Sequence, residues 1–299
     1  MRFKKVFSKR VLAGLVALTT ISATSSLSSS ATINSSLQYK IFRNSSGSVT
    51  STYTLSALTT VNNSANSRGI TSDGDNRSID ANKGVVRIVS TSGDSYTGFV
   101  IGEDIIATAA SNVYNISSNS LKKISTISLY DEDGNVTGSA TASYVHLPTN
   151  YTSSHLADYD YALIQVNEDL SSHQAFELGV PLNTLDSTKR TVKVTGFPDK
   201  INGSINTNSY TGSGAITTFP GQTLTRQIGY QADVTNGQQG SPVYINTNYN
   251  GSIYNTVIAI NISADSLYAS SAILGGDDAN CGIRVTTDML HFYNNNPNL

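Results

Sequence analysis

Acyl transfer is the chemistry that the serine, histidine and aspartate side chains of this 299-residue chain could perform together. A serine nucleophile needs an imidazole that takes its proton, a carboxylate that orients the imidazole, and backbone N–H groups that hold the oxyanion. Asp160 begins the apolar run DYALI, and Ser241 lies in the hexapeptide GQQGSP at 237–242. The available bases are His146, His155, His173 and His291.

The hexapeptide 237–242 resembles the nucleophile loop GxSGSP of secreted trypsin-like serine proteases, in particular the bacterial glutamyl endopeptidase (V8-like) family. Aligned without a gap, Gln239 stands where that family has its nucleophilic serine. An amide side chain cannot serve as the acyl acceptor. In the same alignment the side chain of Ser241 should point away from the site. The resemblance still implies that the backbone N–H groups of Gly237 and Gln239 form an oxyanion hole.

Two further motifs supply the positions of the base and the carboxylate. Residues 97–102 (TGFVIG) and 107–114 (ATAASNVY) resemble the segment around the family's catalytic histidine, with Ser111 in its place and Asn112 where a cysteine often stands. A serine hydroxyl is far too weak a base at neutral pH. Asp160 matches the family's D-x-A-L motif and fills the orienting position. Without an imidazole, it is expected to be buried with a pKa raised by desolvation.

The resemblance covers about residues 70 to 290 and includes segments remote from these positions. The matching segments, in the family's order, are 75–77 (DNR), 194–200 (VTGFPDK), 230–234 (YQADV), 257–261 (VIAIN) and 280–285 (NCGIRV). The specificity pocket departs from the family at two positions. Asn261 replaces a histidine that would help to bind an acidic side chain, and Val234 replaces a threonine. The resemblance therefore implies a neutral substrate pocket.

Short β-rich runs separated by turn residues predict the elements that must position these side chains. The predicted strands are 85–90, 99–101, 105–109, 124–130, 136–145, 161–166, 191–196, 214–218, 227–232, 243–246, 255–262 and 282–285. One short helix is predicted near the C-terminus, with Thr286 or Thr287 as its cap. About a dozen strands and one terminal helix indicate an all-β barrel or sandwich.

The family resemblance narrows this fold class to the chymotrypsin/trypsin-like double six-stranded β-barrel with a short C-terminal helix. The protease-like domain is placed at 77–299, with barrel one at about 84–166 and barrel two at about 182–285. The stretch 168–189 has no strong pattern and could link the two barrels.

The N-terminal segment predicts export. Residues 1–10 carry five cations, and the apolar run 11–23 is too short to span a bilayer, as in a signal peptide cleaved after Ala23 or Ala31. Residues 32–76 are poor in apolar residues and crowded with Ser, Asn and Thr, which predicts a low-complexity pro-segment or leader. The mature chain is therefore expected to be secreted, with no membrane insertion after signal cleavage.

Composition restricts the partners further. Charged residues make up 13% of the chain and the net charge is −2, which gives no electrostatic case for nucleic acid. The acidic stretch 131–135 lacks the downstream glutamate of a calcium loop and is interpreted as a hairpin turn, so no metal or other cofactor is expected. Cys281 has no partner for an internal disulfide and is interpreted as a small buried hydrophobic residue, with a reactive thiol as the alternative.

These observations favour a catalytically silent homologue of the glutamyl endopeptidases. Its inter-barrel cleft, containing Ser111, Asp160 and Gln239, would bind a peptide or protein ligand or act as a decoy. The alternatives are an active secreted serine endopeptidase with altered catalytic machinery, in which Ser241 is the candidate nucleophile, and an inactivated enzyme without a selected function.

Overall fold

The computed structural model describes residues 77–173, 176–180, 191–201, 204–217, 226–249, 252–263 and 280–294, together with two short strands near the N-terminus. In chain order the strands are β1 (Gln38–Lys40), β2 (Thr52–Thr54), β3 (Ser78–Ile79), β4 (Val85–Ser90), β5 (Ser95–Val100), β6 (Ile105–Thr108), β7 (Tyr114–Asn115), β8 (Ser120–Leu121), β9 (Ile124–Tyr130), β10 (Val136–Ala140), β11 (Ala142–His146), β12 (Ala162–Val166), β13 (Phe176–Leu178), β14 (Thr191–Gly196), β15 (Lys200–Ile201), β16 (Ser204–Ile205), β17 (Tyr210–Thr217), β18 (Gln227–Tyr230), β19 (Pro242–Tyr249), β20 (Ser252–Ser263) and β21 (Asn280–Arg284). The α-helices are α1 (Ala110–Val113), α2 (Thr149–Ser154) and α3 (Thr287–Asn294). The predicted signal peptide and all of the predicted pro-segment except β1 and β2 lie outside the described residues.

The first large sheet has seven strands in the order β10-β9-β4-β5-β6-β12-β11. Its two edge strands are consecutive in the chain, since only Thr141 separates β10 from β11. The sheet therefore curls until its edges approach each other. Its inward-facing β-branched and aliphatic side chains form a buried cluster that includes Val86, Ile88, Ile106, Ile127 and Ile164.

The second large sheet closes into a six-stranded barrel, because β21 pairs with both β18 and β20. The order around the barrel is β20-β19-β14-β17-β18-β21. Two strands are added outside the ring: β13 pairs in parallel with β20, and β3 pairs with β17. The barrel interior is apolar and includes Val192, Val194, Ile228, Val243 and Ile258.

A third apolar cluster joins the two sheets. It contains Phe99 and Tyr130 of the first sheet together with Tyr244 of the second and Phe197, which directly follows β14. The Tyr130 and Phe197 rings lie 4.7 Å apart, centroid to centroid. Helix α3 packs on the same cluster through three buried side chains, Met289, Leu290 and Tyr293. Because apolar contacts span both sheets, the two sheets pack directly on each other.

The structure confirms the predicted all-β fold with a short terminal helix. Strands β4, β9 and β14 have the predicted bounds, whereas β19 and β20 run longer, to 8 and 12 residues. Helix α3 follows Thr286, whose Oγ1 accepts the backbone N–H of Met289 at 3.2 Å. The stretch interpreted as a link contains β13, because a three-residue strand is too short to give a periodic signal.

Two local interpretations agree with the structure. The acidic stretch 131–135 forms the hairpin turn between β9 and β10, where Asp131 Oδ1 accepts the N–H groups of Asp133 (2.9 Å) and Asn135 (2.8 Å). Cys281 is 2% exposed, its Sγ donates to Gln227 Oε1 at 3.4 Å, and burial raises the pKa of its thiol to about 12. A thiol with this pKa is not a nucleophile at neutral pH.

None of the helices in the described residues combines the length and the apolar character that crossing a membrane requires.

Candidate active-site cleft

Asp160 and Ser111, the predicted carboxylate and base positions, lie next to each other. Strand β12 pairs with β6 in the register Ala162↔Thr108, which brings the residues just before β12 next to helix α1 at the end of β6. The backbone N–H of Ser111 donates to Asp160 Oδ1 at 2.7 Å. Tertiary structure thus joins the two positions that the sequence motifs single out.

Asp160 is enclosed, with 8% of its surface exposed. Burial raises the pKa of its carboxyl to about 6, against the lowering effects of the Ser111 and Ala110 backbone N–H groups and the Lys122 charge. The Ser111 hydroxyl lies close enough to lower this pKa as well, although its geometry does not reach that of a hydrogen bond. The direction of the shift agrees with the expectation from the sequence.

Replacing Asp160 by Asn is expected to remove a pH dependence of stability. The folded-state pKa lies above the ordinary value of 3.8, so the native state binds the proton more tightly and loses stability as pH rises from about 4 to about 6. The shift of about two pH units corresponds to about 3 kcal/mol. The free energy of unfolding of Asp160→Asn, measured by urea denaturation, should rise by about 2–3 kcal/mol relative to that of the parent between pH 4 and pH 7.5. An equal difference at both pH values would contradict an elevated pKa.

The loop 237–241 is a tight turn with two unused donors. Among the described residues, the backbone N–H groups of Gly237 and Gln239 make no hydrogen bond, whereas those of Gln238, Gly240 and Ser241 donate to Thr235, Asn261 and Gln238 carbonyls at 3.1, 2.7 and 3.2 Å. Two positive backbone angles shape the turn: φ is +90° at Gly237 and +86° at Gly240. The oxyanion role of these two N–H groups stays a prediction.

A polar network ties this loop to the first sheet. The Gln239 carbonyl accepts the N–H of Thr97 and the Nδ2 of Asn112, both at 2.9 Å. Thr97 Oγ1 donates to the Gly237 carbonyl at 2.9 Å, and Thr108 Oγ1 donates to the Thr97 carbonyl at 2.8 Å. Sequence reasoning missed this role of Asn112. The available signal was an amide side chain at a position where the family often has cysteine.

Ser241 is enclosed and cannot meet a ligand. The residue is 0% exposed, and its Oγ has no hydrogen-bond partner among the described residues. A Cβ added to Gly196 would lie 2.0 Å from this oxygen. The Ser241 hydroxyl therefore packs against the end of β14. An acyl donor cannot approach it from the groove without displacing backbone.

The four histidines lie outside the site. His155 and His291 are exposed, and the other two are half-buried. The ring centroids of His146 and Tyr144 lie 6.2 Å apart, and His173 Nδ1 lies 3.2 Å from the carbonyl oxygen of Lys83. Within the described residues, none of the four makes a hydrogen bond to Ser111, Asp160 or Ser241.

Comparison with known families identifies this architecture. Residues 96–250, more than half of the chain, match the trypsin-like peptidase domain. The chain belongs to this family. The matched segment includes the Ser111, Asp160 and Gln239 positions.

The trypsin-like peptidase domain is similar to glutamyl endopeptidases. It is 27% identical over 213 residues to the glutamyl endopeptidase of Bacillus licheniformis, and the match spans 69% of this chain and 60% of that protein. Two solved structures share its fold. A Glu endopeptidase in complex with MPD has a TM-score of 0.58 at 22% identity, covering 74% of this chain and 96% of its own. Protease Anisep from Arthrobacter nicotinovorans has a TM-score of 0.53 at 18% identity, covering 73% and 97%.

The two predicted pocket residues of this trypsin-like peptidase domain are engaged internally. Asn261 is 1% exposed, its Nδ2 donates to the Gln238 carbonyl at 2.7 Å, and its Oδ1 accepts the Tyr230 hydroxyl at 2.5 Å. Val234 is 0% exposed and packs in the interior of the second barrel. Their contact with a ligand stays a prediction, and in this structure the Asn261 amide supports the loop.

Proposed function

We propose that this trypsin-like peptidase homologue is catalytically silent and binds a peptide segment of a protein ligand in the groove between its two barrels. The observation that carries the proposal is the meeting of Ser111 and Asp160. The carboxylate that would orient a general base receives a backbone N–H at 2.7 Å, and the residue bearing that N–H has no basic side chain. Without a base, a hydroxyl in the groove would remain protonated and weakly nucleophilic at neutral pH.

The loop at Gln239 supports binding. The two unused N–H groups at Gly237 and Gln239 suit a peptide carbonyl, since peptide ligands are held largely through backbone hydrogen bonds of this kind. The Gln239 side chain is partly exposed and adds an amide donor and acceptor. With Asn261 and Val234 neutral, the ligand is not expected to require an acidic side chain.

The proposal includes export. The cationic start and short apolar run within residues 1–31 support a bacterial signal peptide, and the polar stretch 32–76 supports a leader ahead of the domain. A secreted binding module or decoy would meet its ligand outside the cell.

A fluorophosphonate probe is expected to leave the purified full-length chain unlabelled. The expectation follows from the missing base at Ser111 and from the enclosure of Ser241. Intact-protein mass after incubation gives the stoichiometry, with an active glutamyl endopeptidase as the positive control. Stoichiometric labelling at any serine would overturn the silent assignment in favour of an active endopeptidase.

Peptide binding is tested by NMR on isotope-labelled full-length chain, with a size-fractionated casein digest as the peptide source. Amide signals of Gly237 and Gln239 should shift in a saturable way, because a peptide carbonyl would accept from them. Gly93, in an exposed turn, is the internal control. Peptide-induced shifts confined to surfaces away from the loop would refute binding in the groove.

A further inference from the structure

We propose that Arg77 is a positioning residue, which holds the 235–241 loop in its ligand-accepting form by acting through Gln238. The inference rests on the proposed function only in taking this loop as the element that meets the ligand. It concerns a residue that lies before the first strand of either barrel and outside the matched segment 96–250.

The contact joins distant parts of the chain. Arg77 Nη1 donates to Gln238 Oε1 at 2.9 Å and to Thr235 Oγ1 at 2.7 Å, across 161 and 158 positions. Both hydrogen bonds are partly buried. A guanidinium donor makes such bonds stronger than neutral ones, so this contact can fix a turn that lacks regular secondary structure.

The conformation of Gln238 affects both free N–H groups, because this residue lies between Gly237 and Gln239. Gln238 is 0% exposed. Its carbonyl accepts Asn261 Nδ2 at 2.7 Å and the Ser241 N–H at 3.2 Å. Its side chain is anchored through Oε1, which also accepts the Thr235 N–H at 3.0 Å, while Nε2 has no partner among the described residues. Loss of Arg77 would remove the charged half of that anchor.

Rotation of the Gln238 side chain would release the turn that sets the Gly237 and Gln239 peptide planes. The Arg77 side chain reaches the loop from a position that precedes β4.

The test is amide hydrogen exchange at single-residue resolution on the full chain and its Arg77→Ala variant, without any ligand. Exchange of the protected Gln238 and Ser241 N–H groups should become on the order of tenfold to one hundredfold faster. Amides of β20 should be unchanged except that of Asn261, whose N–H donates to the Ser241 carbonyl at 2.9 Å. Arg77→Lys should restore part of the protection, because a cationic donor remains. Lys83→Ala, which breaks the exposed Lys83–Glu132 ion pair (2.9 Å), is the matched control and should change nothing in the loop.

A second variant tests the route of action. In a Gln238→Leu background, Arg77→Ala should accelerate the exchange of Ser241 much less than it does in the parent, since Gln238 Oε1 is absent and only the bond to Thr235 Oγ1 is left to lose. Unchanged loop exchange in Arg77→Ala, no recovery in Arg77→Lys, or equal acceleration throughout β20 would each overturn the proposal. None of these readings depends on whether the chain is silent, which the fluorophosphonate probe decides separately.

Discussion

The full-length chain carrying both Ser111→His and Gln239→Ser is expected to hydrolyse an activated ester and a short neutral peptide, on the order of 10³-fold faster than the parent. An imidazole at 111 would lie beside Asp160, whose Oδ1 already meets the backbone of that residue at 2.7 Å. A hydroxyl at 239 would sit in a turn with free N–H groups at 237 and 239. The double variant therefore changes only two side chains and keeps the Asp160 carboxylate and the N–H groups at 237 and 239.

The controls separate restored catalysis from accidental hydrolysis. Each single substitution should remain near the parental rate, because nucleophile and base act as a unit. Adding Asp160→Asn to the active double variant should return kcat to near the parental rate, a loss on the order of 10³, since the imidazole would lose its orienting carboxylate. A folded double variant without activity would show that the groove is altered beyond these two positions.

Replacement of Gly240 by Ala is expected to lower the free energy of unfolding by at least about 3 kcal/mol and the Tm by roughly 6–12 °C. The backbone at Gly240 has φ of +86°, which an L side chain rarely adopts. The added Cβ would also lie 2.1 Å from the Thr97 carbonyl oxygen and 2.5 Å from Asn112 Nδ2. The substitution therefore disrupts the polar network that ties the loop to the first sheet. Guanidinium chloride denaturation measures the loss.

Gly93→Ala is the matched control for this prediction. Its φ of +91° is close to that of Gly240, but a Cβ there would meet nothing within 4 Å. The conformational strain alone should cost about 1–2 kcal/mol. The difference between the two variants thus isolates the close approach of the loop to Thr97 and Asn112. Equal losses would mean that backbone strain alone explains the glycine at 240.

The loop and the carboxylate differ in what holds them. Asp160 is fixed by backbone, through the β6–β12 register and one N–H. The loop is held by backbone bonds to Thr97 and Asn261 and, in addition, by three side chains that reach it from elsewhere, those of Asn112, Asn261 and Arg77. Substitution at these three positions is therefore the direct way to loosen the loop while leaving the barrels intact.

The strand pattern of this protein could be predicted from sequence because it depends on local alternation. VVRIVS at β4 and ISTISLY at β9 carry β-branched residues between turn signals, and both have the predicted bounds. Ser111 and Gln239 are assigned to the base and nucleophile positions from the order of residues within short motifs, and that assignment stays a prediction. Strand β13 escaped prediction because its three residues depend on pairing with β20.

Sequence by itself determined which residue types stand at the site, with Ser111 and Gln239 at the two motif positions of the family resemblance. Only the tertiary structure decided how those residues are used. It enclosed Ser241, raised the pKa of Asp160 to about 6, engaged both ends of the Asn261 amide and brought Arg77 to Gln238 across 161 positions. The physical reason is range: residue periodicity encodes contacts within an element, whereas burial and side-chain partners depend on which distant elements pack together.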